Sequence, residues 1–573
     1  MSGSMPSRIW STTGDSQADP DAAIPVNIPH AIRPPAELVA VLRDILGTQR
    51  VITSTDECEL LSGDLYSQGI PATAVIRPSG TQMLASAVEQ ISAAGYALVP
   101  RGGGMSYTGG VCPASVSSVV VDTVDLQGVS NFDPGNMTVT VGAGTTWETI
   151  YTHLAPHGLR LPYFGTFSGR RATVGGGLSN GAVFLGTARY GSAAENVLGL
   201  EIVTADGRIL RTGQAGFRHG KPFYRTHGPD LTGLFVHDGG ALGIKTEATF
   251  RLIEMPQDIE YLSGAFPDAH SAATALSAIA RSGAAEEAYV FDAQTTSRNL
   301  AGGTLKGDIA TLGRVVGNQK NLLAGLKAGA RLVAAGKGVV PAGAWSLHLV
   351  CAGRSAAAAK ADLELCRRLL ERHGGKEIPA SIPVAVRAAP FNNLNGVLGP
   401  AGERWMALNA KVQHSEALQL IDAFNQMIEP HGAMLQQAGV ELSTLLTSMQ
   451  THAFSFETVF HWFDSWLPLH RAIPDPEHLR RFTEPSPNPA ARNLVARLQR
   501  ETLALFDSLG APSNQLGRTY GYVDKLMPEN RALLVAIKSR LDPRGLMNPG
   551  VLGLPVDNTA ADKTRSNPAK DLV

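Results

Sequence analysis

Between Pro100 and Gly110 the chain reads Pro100-Arg101-Gly102-Gly103-Gly104-Met105-Ser106-Tyr107-Thr108-Gly109-Gly110, with five glycines in nine positions. The run follows the apolar Ala97-Leu98-Val99 and precedes the strand-like Val119-Val120-Val121-Asp122. A loop without Cβ atoms can close its backbone N–H groups on an anion such as pyrophosphate without steric conflict. It is neither a G-x-x-x-x-G-K-[ST] loop nor a G-x-G-x-x-G that opens a helix, so P-loop and Rossmann readings fit poorly. A second cluster, Thr173-Val174-Gly175-Gly176-Gly177-Leu178-Ser179-Asn180-Gly181, comes later. Two such cradles suit one long phosphate-bearing ligand held from two sides. The plain alternative is a pair of tight turns.

The chain has 573 residues, more than one hydrophobic core usually supports, so two domains are expected. Apolar content of 44% and charged content of 17% are those of an ordinary globular protein. A net charge of −1 argues against an electrostatic nucleic-acid or membrane surface. Cys58, Cys112, Cys351 and Cys366 form no C-x-x-C pair and have no histidine at zinc spacing, which implies reduced thiols, a cytoplasmic setting and no metal. The start, Met1-Ser2-Gly3-Ser4-Met5, lacks the basic and apolar regions of a secretory signal, and no apolar run is long enough to span a bilayer.

Residues 1–34 are polar and proline-containing, as in a loosely held arm. Helical spacing marks Glu37 to Leu46, Thr81 to Gly95, Ser415 to Ile428 and Glu529 to Leu541; strand patterns mark Thr73 to Pro78, Met137 to Val141, Leu200 to Thr204, Trp345 to Cys351, Arg404 to Val412 and Phe454 to Phe463. Composition shifts near Met255-Pro256, and 270–370 is alanine-rich and largely helical. The pattern predicts an α+β architecture: one domain from residues 35–255 and 518–573, and a second, substrate-covering domain over 256–517.

Five blocks in order resemble a known family. They are Thr173 to Gly181; Ala188-Arg189-Tyr190-Gly191-Ser192 through Val197 to Gly199; Val203-Thr204-Ala205-Asp206-Gly207; Gly228 to Phe235 with Gly240-Ala241-Leu242-Gly243-Ile244; and Leu541-Asp542-Pro543-Arg544-Gly545-Leu546-Met547-Asn548-Pro549-Gly550. Together they are similar to the FAD-binding domain of the vanillyl-alcohol oxidase/p-cresol methylhydroxylase flavoprotein superfamily, over residues 70–255 and 515–553. The resemblance implies FAD held by Arg101, Gly102, Gly103, Gly104, Met105, Ser106, Thr108 and Gly109 in the first cluster. From the second it implies Thr173, Val174, Gly175, Gly176, Gly177, Asn180 and Gly181. Further positions are Tyr190, Gly191, Val197, Gly243, Ile244 and Asn548. Many relatives attach flavin through a histidine near Met105, which a methionine cannot do. His452 and His461 are out of register with attachment sites of the second domain, so non-covalent FAD is expected.

The resemblance also implies hydride transfer to the flavin N5 from a small-molecule substrate, with oxygen, a cytochrome or a quinone as final acceptor. Arg518, in Leu516-Gly517-Arg518-Thr519-Tyr520, resembles the Tyr-Arg-Thr motif of phenol-oxidising members. It is expected to place a fixed cation near the flavin, with Tyr520 beside it; the alternative is a surface arginine. Tyr107 is expected at the flavin edge, as a proton donor or as packing. Phe456 to Trp462 alternates, so Glu457, Val459 and His461 share a strand face that suits a pocket or a solvated edge.

Two substrate classes compete within the family. The 2-hydroxyacid dehydrogenases match the Pro-Arg-Gly-Gly-Gly and Arg-Tyr-Gly blocks better, but usually carry a metal-binding His-rich motif that this chain lacks. Trp405 to Val412, followed by Ser415-Glu416-Ala417, is faintly like the phenol oxidases. The reading adopted from sequence is therefore oxidation of an aromatic or benzylic alcohol or a para-substituted phenol, with a 2-hydroxy acid as the alternative. Arg170-Arg171 stands where phenol-oxidising relatives carry an acid, and could attract an acidic substrate. A flavin-binding protein without activity is a third reading. A homo-oligomer that binds neither nucleic acid nor membrane is expected.

Overall fold

A computed structural model describes residues 32–301, 340–391, 394–399 and 401–554. Most of the expected N-terminal arm, and the part of the alanine-rich stretch over 302–339, lie outside the described residues.

Residues up to 254 build two small sheets and a two-stranded pair, Leu159–Arg160 with Ile253–Glu254. In the first, Ala74–Ile76, Ser118–Asp122 and Ala97–Arg101 run parallel, with Val51–Ile52 antiparallel at the edge. Helix Thr81–Ala93 packs on it because Leu84, Ala87, Val88 and Ile91 recur at helical spacing and are fully buried. Gly95, at φ +86°, then turns the chain. The second sheet is antiparallel, ordered Val129–Asp133, Thr138–Gly142, Ile244–Arg251, Val197–Val203, Ile209–Arg211. Both glycine clusters leave this part of the chain and meet, since Thr108 donates its hydroxyl to Asn180 Oδ1 at 3.0 Å.

A seven-stranded antiparallel sheet forms the second part. Its order is Lys376–Ile378, Asp258–Phe266, Trp345–Gly353, Glu287–Phe291, Glu441–Met449, Ala453–Trp462, Arg404–Val412. Helices Ala269–Ser282, Ala356–Arg372, Ala417–Ile428 and Pro489–Ser508 bury one face through Leu276, Leu370, Phe424 and Leu498. Strict alternation sets the faces of Ala453–Trp462. Phe454, Phe456, Phe460 and Trp462 enter that core, while Ser455, Glu457, Val459 and His461 point the other way. After Pro489–Ser508 the chain returns to the first part. Asn548 N–H donates to Leu98 O at 2.8 Å, which seats the closing segment against strand Ala97–Arg101.

This is the expected α+β, two-part architecture. The expected helices and strands over described residues appear with shifted ends, for example helix Ala417–Ile428 and strand Ala453–Trp462. Strands Asp258–Phe266 and Glu441–Met449 were not anticipated from sequence.

Candidate active site

A cavity of about 520 Å³ lies between the two glycine clusters and the face of the seven-stranded sheet opposite its helix-covered core, with helices Ala293–Ala301 and Ser381–Ala388 closing part of its wall. On the first cluster, none of the backbone N–H groups from Gly102 to Thr108 donates to another protein group among the described residues. That is a run of free donors on a loop turned to the cavity, as an anion requires. Beside it, Arg101 is 1% exposed and its Nη2 has no partner, although Nε donates to Leu61 O at 3.0 Å and Nη1 to Gly102 O at 3.1 Å. A buried guanidinium with an open nitrogen fits a phosphate oxygen.

The second cluster acts differently. Val174 N–H and Gly175 N–H are spent on Thr145 O and Ala143 O, and Gly176 N–H on the Thr173 hydroxyl. Its contribution is bareness: a Cβ on Gly176 would meet only Thr173 Oγ1, at 3.3 Å, and would project into the cavity. A Cβ on Gly103 would instead strike the Arg171 carbonyl. Gly103 therefore permits the two loops to touch, and Gly176 keeps the ligand space open. The donors, the open guanidinium and the bare wall together fit the diphosphate and ring system of FAD.

Sequence reasoning placed Arg101, Gly102, Gly103, Gly104, Met105 and Ser106 here, and all six line the cavity. So do Thr173, Gly175, Gly176, Gly177 and Asn180, with Gly243 and Ile244 opposite. Others do not reach it, and those assignments are corrected. Val174 and Val197 are fully buried core residues. Thr108 and Gly109 hold the loop from behind, the latter donating N–H to the buried Asp64 carboxylate at 2.7 Å. Gly181, at φ +74°, ends the short helix Val174–Asn180 and accepts from Asn514 Nδ2. Tyr190 lies on the Arg160 guanidinium, 5.7 Å from its ring centre, and Gly191 packs against Glu195 and Gln450. Asn548 donates to Gly110 O at 2.8 Å and Gly239 O at 2.7 Å, and so fastens the closing segment.

Glu457 and His461 line the cavity from the sheet side, and Tyr107 lines it from the first glycine loop. Tyr107 packs edge-on to Trp405, with ring centres 5.0 Å apart, and its phenol lies beside the Glu457 carboxyl and Gln515. Burial pushes the Glu457 carboxyl up to about 7, against the opposing pull of Lys411 and of the Tyr107 phenol. Burial, then the charge of Glu457, raises the Tyr107 phenol well above its ordinary value, so it stays a neutral donor. His461 Nε2 is 2.8 Å from Ser443 Oγ, and burial drives the imidazole down to about 3, which keeps it neutral.

Lys411 was passed over in sequence. Strand register puts Asn409 opposite Glu457 and Lys411 opposite Ser455, so the ammonium lies diagonally from Glu457 on the same face. It donates to Asn514 Oδ1 and, at 3.4 Å, to Asn409 Oδ1, and burial lowers it to about 7. The Lys411 ammonium favours ionisation of the Glu457 carboxyl from this diagonal position, without an ion pair between them among the described residues. The sequence signal was Lys411 two places after Asn409 in a largely apolar strand.

Arg518 and Tyr520 are corrected as well. Arg518 Nη1 donates to Gly109 O, and Nη2 to Pro549 O at 2.7 Å and Asn548 Oδ1 at 3.1 Å. Its charge is spent on carbonyls behind the first loop rather than on the cavity. Tyr520 is buried in the sheet core and accepts from Asn409 N–H at 2.8 Å. The Arg170-Arg171 pair is likewise engaged, Arg170 with Glu148 at 3.2 Å and Arg171 Nε with Gly103 O at 2.9 Å. Among the described residues, no group of three His, Cys, Asp or Glu side chains could hold a metal ion, and no helix is long and apolar enough to cross a membrane.

Comparison with known proteins adds to the geometry. Residues 72–213 match the FAD binding domain family. The chain is similar to D-lactate dehydrogenase [cytochrome] 1 of Saccharomyces cerevisiae, 34% identical over 190 residues, 32% of this chain and 30% of that protein. It is also similar to glycolate oxidase subunit GlcD of Bacillus subtilis, 32% identical over 206 residues, 36% of this chain and 42% of that one. The alignments thus span less than half the length of these relatives. Among solved structures, 4-ethylphenol oxidase from Gulosibacter chungangensis superposes with TM-score 0.67 at 16% identity, over 91% of this chain and 98% of that one. p-Cresol methylhydroxylase gives TM-score 0.66 at 16% identity, over 91% and 97%. The chain carries an FAD binding domain and shares the two-domain α+β fold of p-cresol methylhydroxylase.

Proposed function

We propose that this chain is an FAD-dependent oxidoreductase that dehydrogenates the CH–OH group of a 2-hydroxy acid with a bulky apolar side chain. The observation that carries the reading is the buried Glu457–Tyr107 pair facing the glycine-lined cradle. Of the two substrate classes open from sequence, the hydroxy acid is favoured by the relatives, which are named for D-lactate and glycolate. The apolar side chain is favoured by Phe184, Tyr289, Phe291 and Val459 on the cavity wall.

Bound FAD, held by the free N–H groups of 102–107, Arg101 and the bare surface of Gly176, would supply the hydride acceptor. The chain's own groups manage the proton. Tyr107, a neutral donor, orients the substrate oxygen by a hydrogen bond. Glu457 accepts the hydroxyl proton; its raised affinity suits it to hold that proton near neutral pH. Lys411 offsets the charge of ionised Glu457 from its diagonal position. The apolar walls exclude water and strengthen each of these interactions. On this reading Glu457 takes a proton that a metal site would otherwise help remove.

One observation favours a second reading. Arg298, a cation on the cavity wall, is already paired with Glu403 and Glu441, which suits a neutral aromatic or benzylic alcohol or a para-substituted phenol. An anaerobic screen of FAD-loaded protein separates the two. Bleaching by mandelate-like acids in preference to lactate supports the first, and bleaching by benzylic alcohols or phenols alone supports the second. A flavin that no compound of either class bleaches would leave a protein that binds FAD without this chemistry.

A further inference from the structure

Four of the twelve most exposed large apolar side chains among the described residues fall in one short loop: Phe217 (50% exposed), Phe223 (58%), Tyr224 (51%) and Leu231 (49%). The loop joins the edge strand Ile209–Arg211 to strand Ile244–Arg251, on the opposite side of strand Val197–Val203 from the sheet centre. Water offers no reason to cluster such side chains at a tip, and contiguous exposed apolar surface marks an interaction site.

The same loop is basic. Arg218 and Lys221 are exposed and form no ion pair among the described residues, with Asp133 on the side of Lys221 and Glu201 and Glu247 across a shallow cleft from Arg218. Arg225 is paired with Asp230, the one acid of residues 216–231, at 2.8 Å. A whole-chain net charge of −1 averages over this local excess.

The loop is also built. Gln214 N–H donates to Tyr224 O at 2.8 Å across its base, and Phe217 packs on His227 with ring centres 5.0 Å apart. Turns close from Gly220 N–H to Phe217 O at 3.0 Å and from Leu231 N–H to Pro229 O at 2.9 Å. Arg225 fastens it to the domain by donating to Ala194 O. The aromatic rings are therefore presented from a tied scaffold.

We propose that residues 216–231 dock this protein on an anionic lipid bilayer, with Phe217, Phe223, Tyr224 and Leu231 entering the interface and Arg218 and Lys221 facing the headgroups. Aromatic rings favour the boundary between apolar and wet layers, and cations beside them select negatively charged lipid. A hydrophilic polyanion would satisfy the cations and leave three rings and a leucine without an apolar phase, whereas a bilayer of anionic lipid supplies both. The inference is independent of the substrate.

The test is flotation of the full-length protein with phosphatidylcholine vesicles, with and without phosphatidylglycerol, at low and high salt. Wild type should float with the anionic vesicles and not with neutral ones. Arg218→Gln with Lys221→Gln should weaken binding about 25-fold at low salt, at roughly fivefold per cation. Phe217→Ser with Phe223→Ser and Tyr224→Ser should abolish the binding that survives high salt. Circular dichroism and flavin content check that each variant is folded. Phe223→Trp supplies a second readout, since its emission should shift to the blue on anionic vesicles. No flotation of wild type would overturn the proposal. So would an aromatic variant that binds as wild type while both proteins bind heparin beads equally, because the loop would then be a site for acidic macromolecules.

Discussion

Gly103 and Gly176 belong to the same cradle for different reasons, and substitution separates them. Gly176→Val adds bulk toward the cavity with only Thr173 Oγ1 nearby, so the protein should fold and lose its yellow colour. Gly103→Val drives a side chain into the Arg171 carbonyl and should cost stability as well. Flavin absorbance set beside a melting curve distinguishes the two; a Gly176→Val protein with full FAD would remove the cradle assignment. At Glu457 the prediction concerns pH. The carboxyl works only when ionised, so flavin reduction should rise through about 7. Lys411 favours that ionisation, and Lys411→Met should move the rise to higher pH in single-turnover measurements. An unmoved rise would detach Lys411 from the site. The folded-state value lies above the ordinary carboxyl, so Glu457 contributes to stability at acid pH and that contribution is lost as pH climbs through about 7. Glu457 and Tyr107 were legible in sequence because a glycine run and a strict alternation point at them. Lys411 was not, since its partner depends on the register between strands far apart in the chain.

Among elements, the closing segment 541–554 is a strap, and Arg518 ties it to the first glycine loop. Arg518→Ala should leave buried carbonyls unpaired and lower stability by about 2–3 kcal/mol. Flavin retention should fall with it, while the reduction rate per bound flavin stays unchanged. Calorimetry and single-turnover kinetics on the same sample check this, and a loss of rate at full flavin content would return Arg518 to the chemistry. The Arg-Thr-Tyr likeness misled here because a motif fixes neighbours in sequence and leaves the side chain's direction open. Strand Ala453–Trp462 was legible through its aromatic alternation. Strand Glu441–Met449 was not, because Ser443, Thr444, Thr447 and Ser448 put hydroxyls on both of its faces and erase the period. Gly264, which lets Leu370 pack against strand Asp258–Phe266, obscured that strand in the same way.

For the whole molecule, the cavity is a product of two parts that neither supplies alone: a cradle from residues 101–106 and 173–180, and a lid of antiparallel strands. The sequence matches to named relatives cover only about a third of the chain, whereas the fold matches nearly all of it. Cofactor binding therefore has support at the residue level, and the substrate is a property of the sheet side. Flavin attachment follows from the same geometry. Met105 lines the cradle, His452 is exposed, and His461 Nε2 is engaged by Ser443, so acid precipitation should release FAD into the supernatant. Flavin in the pellet would show a covalent bond. The central claim is that Glu457 takes the substrate proton, and anaerobic flavin reduction in wild type and Glu457→Gln tests it most directly. A 2-hydroxy acid with an apolar side chain should bleach the wild-type flavin, and fully loaded Glu457→Gln should do so roughly 10²–10⁴ times more slowly. Equal rates in the two proteins would contradict the account.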